Sequence, residues 1–119
     1  MELEDNFEIL EHALINLINN DDDIRNESVN MIMEIEQTND CFGLFFEILF
    51  NSGEPCAKKQ ASIQLHHILK LKIKEIDEAT KNSIQKLIIE YLIKIPNTPQ
   101  IILNEIADSI KLLICINNY

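Results

Sequence analysis

The chain contains no tryptophan, and among its 119 residues there are only 2 glycines, 3 prolines and 3 cysteines. Average usage is roughly 7% glycine and 5% proline, so there is little material here for hairpin turns or long flexible linkers. Helices on short connections are the default expectation. No stretch reaches the roughly 18 uncharged apolar residues that a membrane span needs. The opening Met1-Glu2-Leu3-Glu4-Asp5 is acidic where a secretory leader is basic. The chain is therefore expected to be neither secreted nor embedded in a membrane. Cys41, Cys56 and Cys115 are odd in number and form no CxxC pair. That argues against a disulfide scaffold and a zinc site, and predicts a reducing compartment. Basic residues are almost missing from the front: residues 1–54 hold 14 acidic and 1 basic side chain, against 6 and 9 in 55–119, for a net charge of -10. An acidic front repels phosphate backbones, so no direct nucleic-acid contact is expected, and basic protein surfaces are the better complement.

What is present is a 46% apolar composition, enough for one core. Isoleucine is abundant and mildly strand-favouring, but it recurs at helical spacing, and periodicity is the stronger signal. Phe7, Leu10, Leu14, Leu17 and Ile18 draw a stripe down a helix from about Glu4 to Ile18. Asp21-Asp22-Asp23 offers N-cap oxygens to a second helix carried by Ile24, Ser28, Met31, Ile32 and Ile35. Thr38-Asn39-Asp40 resets the chain before a short apolar third helix through Phe42, Leu44, Phe45, Ile48 and Leu49, ended by Asn51-Ser52-Gly53. Pro55 suits the first turn of a fourth helix, whose inner face holds Ala57, Ala61, Gln64, Leu65 and Ile68 and which runs to about Ile73. Asp77 caps a fifth helix through Ile84, Leu87, Ile88, Tyr91, Leu92 and Ile95, and Pro96 stops it. Thr98 and Pro99 read as N-cap and first position of a sixth, carried by Ile102, Ile106, Ile110 and Leu113, with Leu103 and Ile114 widening the stripe.

Six helices pair into hairpins at about 4–36, 40–73 and 77–116, a period of roughly 37 that lies near two-helix repeat lengths. The tetratricopeptide pattern needs tryptophan and glycine at fixed places, and Gly43 and Gly53 stand near helix ends. The expected fold is all-α, a right-handed α-solenoid of about three HEAT-type helical hairpins forming one domain over 1–119. Terminal repeats normally carry a polar outer face. The first helix offers Glu2, Glu4, Asp5, Glu8, Glu11 and His12 to solvent, whereas the last ends in the apolar run Leu112-Leu113-Ile114-Cys115-Ile116. That contrast predicts a slice of a longer solenoid, with self-association through its C-terminal end.

Candidate chemistry is sparse. His66 and His67 are adjacent, about 100° apart on a helix, with no third metal ligand at a useful spacing. Cys56 lies near Lys58 and Lys59 at a helix start, but His67, about three turns away, is too far to act as its base. The aspartate run lacks the glycine and closing glutamate of an EF-hand loop. No phosphate-binding glycine loop exists. The chain is read as a non-enzyme without metal or cofactor.

Four stretches resemble, in order, the N-terminal domain of the importin β superfamily of nuclear transport receptors. They are Ala13-Leu14-Ile15-Asn16-Leu17 with Asp23-Ile24-Arg25; Gly43 to Asn51 followed by Ala61 to Lys70; Ile76-Asp77-Glu78 with Leu87 to Leu92; and Pro99-Gln100-Ile101 through Ile110, with Tyr119 beyond. In the segment 61–70, Ala61, Leu65 and Lys70 match the family pattern, while His66 and His67 replace its lysine and asparagine, and Ile73 stands near its tryptophan. The resemblance implies that the second helix of each hairpin lines a concave face that meets the GTPase Ran in its GTP form. Cargo and nucleoporins would engage the rest of the receptor, in cytoplasm and nucleus. The outward positions on those helices are then the expected Ran contacts: Arg25, with Asn26 and Asn30, on the second; Lys59, Ile63, His66, His67 and Lys70 on the fourth; Asn104, Asp108 and Lys111 on the sixth. A HEAT or armadillo scaffold unrelated to transport is the alternative.

Overall fold

The computed structural model describes residues 3–38, 41–95 and 97–117, with side chains described from 6 to 113 within those stretches. Among the described residues it contains helices and no strand: α1 (Leu3–Asn16), α2 (Asp22–Glu36), α3 (Cys41–Asn51), α4 (Pro55–Lys72), α5 (Glu78–Lys94) and α6 (Gln100–Asn117). All-α architecture and the six expected helices are thus observed. Expectations about the side chains of Glu2, Glu4, Asp5, Asn39, Asp40, Pro96, Ile114, Cys115, Ile116 and Tyr119 fall outside the described residues. The chain divides into two compact units, Met1–Ala61 and Ser62–Tyr119.

In the first unit α1 packs against both α2 and α3. Leu10, Ala13 and Leu14 of α1 meet a core dominated by α3, in which Cys41, Phe42, Leu44, Phe45, Phe46, Ile48 and Leu49 are all buried. A helix that is apolar nearly all round has to be buried, and each such large side chain contributes about 1.5–3 kcal/mol. Asp21 caps α2 as expected: its Oδ1 accepts from the N–H of Asp23 at 2.9 Å and of Ile24 at 3.3 Å. The Ser52 hydroxyl donates to Glu11 at 2.6 Å and accepts from the Glu54 N–H at 3.1 Å, fastening the end of α3 to α1.

Two stripe assignments are corrected. Ile18 is 63% exposed, because α1 ends at Asn16 and the next residues bond back three positions, Ile18 N–H to Ile15 at 3.5 Å and Asn19 N–H to Asn16 at 3.1 Å. That tighter winding rotates Ile18 off the 3.6-residue stripe. Ile24 is also exposed, and on α2 only Ser28 and Ile32 are buried.

In the second unit α5 packs on α6. Its core is aliphatic around a single tyrosine: Leu65, Ile68 and Leu69 of α4, Ile84, Ile88 and Tyr91 of α5, and Ile102, Ile106 and Leu113 of α6. Asp77 caps α5, accepting from the Thr80 N–H at 2.8 Å; the Thr80 hydroxyl and that N–H hold its carboxyl below the ordinary carboxylate range. Lys81 is buried along its stem, with its ammonium 3.8 Å from Glu78. Leu92, expected in the core stripe, is exposed together with Ile89 and Ile93. Thr98 is not the N-cap of α6. Its hydroxyl donates back to the Ile95 carbonyl at 2.6 Å, and Pro99 accepts the first bonds of the helix from Ile102 and Leu103. Thr38 behaves alike, donating to the Ile35 carbonyl at 2.7 Å and closing α2. Leu113, which belongs both to the α6 stripe and to the apolar C-terminal run, is fully buried, as the stripe requires.

Candidate interaction surface

The fourth helix places its residues as its periodicity demands. Ala57, Ala61, Leu65 and Ile68 are all at 0% exposure, while Lys59, His67 and Lys70 face solvent. Ile63 and His66, expected outward, are only half exposed. For His66 the reason is a partner on α6: its Nδ1 lies 2.9 Å from a Glu105 carboxylate oxygen, with the two side chains 26% and 25% exposed. An ionised carboxylate has no proton to give, so Nδ1 carries the hydrogen and donates.

That bond brings two helix faces together within the second unit. On α4, Ile63 and Lys70 lie three residues before and four after His66, on the same face; on α6, Ile101 and Asp108 flank Glu105 at four and three. The α4 stripe is basic and apolar, and the α6 stripe is acidic and apolar. Asn104, Asp108 and Lys111 are exposed as expected. Asn104 accepts from the Gln100 side chain at 2.9 Å, and Asp108 stands 3.9 Å from Lys111. Exposed pairs of this kind hold little energy and exchange readily for a partner's groups. The Ser109 hydroxyl donates to the Glu105 carbonyl at 3.0 Å, bracing the backbone below the acidic side chain.

The remaining predicted positions belong to the first unit. Arg25 is already engaged, donating to the Asn19 carbonyl at 2.9 Å and pairing with Asp22, so the first unit's front spends its one cation on the α1–α2 turn. Asn26 and Asn30 are exposed. Glu105 is the residue that sequence reasoning left without a role. The signal was available, since 66 and 105 are 39 residues apart, close to one repeat of roughly 37.

Among the described residues no group of three or more His, Cys, Asp or Glu is placed to hold a metal ion, and no helix is long and apolar enough to cross a membrane. Asp21 and Asp22, expected as caps and not as cation ligands, are occupied by the α2 N-terminus and by Arg25. The chain matches no known protein family, no curated protein and no solved structure.

Proposed function

We propose that the chain is a non-enzymatic protein-binding segment built of stacked HEAT-type hairpins, and that it acts as the N-terminal part of a nuclear transport receptor that binds Ran in its GTP form. The observation that carries the reading is the His66–Glu105 bond, which joins α4 and α6 at 2.9 Å. In this reading these are the second helices of successive hairpins, the helices that line the concave face of such a solenoid. In the first unit α1 packs on α3, and in this reading these are the first helices of successive hairpins. Stacking of like helices on like is what a solenoid requires, because a single hairpin cannot bury its own stripe. The resemblance supplies the partner, and the exposed His67, Lys70, Asn104 and Asp108 supply contact groups around the central pair. Cargo and nucleoporin contacts are assigned to other parts of the receptor.

A scaffold role unrelated to transport is favoured by one departure: histidines stand where the resembled family has lysine and asparagine, and His66 is turned toward Glu105. A pull-down against Ran loaded with GTP or GDP separates the two. Retention by the GTP form alone, weakened by His67→Ala with Lys70→Ala, is expected. Equal retention by both forms, or by neither, leaves the scaffold reading.

A further inference from the structure

A groove of about 390 Å³ opens between α1 and α2, lined by Ile9, His12, Ala13 and Asn16 on one side and Ile24, Glu27, Ser28 and Met31 on the other. Both sets follow the i, i+3, i+4, i+7 spacing, so each is one continuous helix face about 10 Å long. The volume falls in the range of roughly 300–1,000 Å³ typical of binding pockets. We propose that this groove docks a cationic amphipathic helix, a partner segment with apolar side chains on one face and Lys or Arg on its flanks.

The floor and the rim each select part of that chemistry. Ile9, Ala13, Ile24 and Met31 give the floor an apolar character. Ser28 at its base is 5% exposed and supplies the one hydroxyl of the lining. Turning about 100° per residue aligns Asp23, Glu27 and Glu34 along one edge of the α2 face, and Glu8 lies one turn from His12 on α1. All four acids are exposed, and none pairs with a cation among the described residues. This rim disfavours anions and also a second copy of the chain, which would bring acid against acid. Apolar anchors for the floor and cations for the rim describe an amphipathic basic helix laid into a groove. The proposal is independent of the Ran reading, whose central pair lies in the second unit.

The test titrates the ¹⁵N-labelled full chain with a synthetic peptide of about four helical turns, leucines at helical spacing on one face and lysines elsewhere, beside a scrambled peptide of the same composition. Saturable shifts at the groove residues, with the scrambled peptide much weaker, are expected. Glu27→Gln with Glu34→Gln should weaken binding roughly two- to five-fold for each exposed charge pair lost. Ile24→Ser, at a site already 37% exposed and thus tolerable to the fold, should weaken it further. Equal binding of the scrambled peptide, shifts centred outside the groove, or indifference to both substitutions overturns the proposal. So does a dimer in solution that the peptide dissociates, since the groove would then belong to a second copy.

Discussion

The two units solve the same packing problem with different materials. Residues 1–61 carry 14 acidic and 3 basic side chains, and residues 62–119 carry 6 and 7. The first buries phenylalanines of a helix that is apolar nearly all round, whereas the second buries isoleucine and leucine stripes of three amphipathic helices around Tyr91. Charge in the second is spent within it: Lys94 on Glu90, Lys111 on Asp108, His66 on Glu105. In the first, the acids at Glu8, Asp23, Glu27 and Glu34 stand open on the surface. A unit with an aromatic core and uncompensated acid is suited to meet a basic partner, and one with balanced charge is suited to specific, switchable contacts.

The largest expected effect breaks the aromatic half of that contrast. Phe45→Ala removes a side chain with no exposure and should cost about 3–5 kcal/mol, read by denaturant unfolding. Leu65→Ala in the second unit should cost about 2–5 kcal/mol, and hydrogen exchange should place each loss in its own unit. Asp21→Ala strips the α2 cap and should cost about 1 kcal/mol, while Asp21→Asn, which can still accept the bonds, should cost less. Glu105→Ala leaves His66 without its acceptor. It should cost about 0.5–1.5 kcal/mol, with His66→Ala adding little in the double variant, as a mutant cycle would record.

The smallest effect is a pH dependence at Asp77. Its carboxyl is held low in the folded chain by Thr80, so folding favours the ionised form. The resulting stability is fully present above the unfolded value near pH 4, and it is lost as pH falls through the lower folded value. Asp77→Asn should flatten the acid limb of the stability curve in that window and leave neutral pH nearly untouched.

Helix number, order and inner faces were legible because periodicity and caps are local. Asp21, Asp77 and Pro55 stand where their chemistry placed them, and Ala57, Ala61, Leu65 and Ile68 lie inward as spaced. Misplacements occurred where a residue had two local options. Thr38 and Thr98 have the chemistry to open the next helix, yet each hydroxyl bonds a carbonyl of the preceding turn, a choice that composition does not distinguish. Ile18 was misplaced by a switch of winding, and Leu92 by a stripe drawn wider than the core it faces. The site was half legible. Exposed positions followed from the helical wheel, but the half-burial of His66 needed Glu105, which is distant in sequence and visible only through the repeat period.

The most direct test of the proposed role is an amide-resonance titration of the labelled chain with Ran bound to a non-hydrolysable GTP analogue, repeated with GDP. Shifts at His67, Lys70, Asn104 and Asp108 with the GTP analogue alone are the predicted result. No shift at these positions, or the same shifts with GDP, would contradict it.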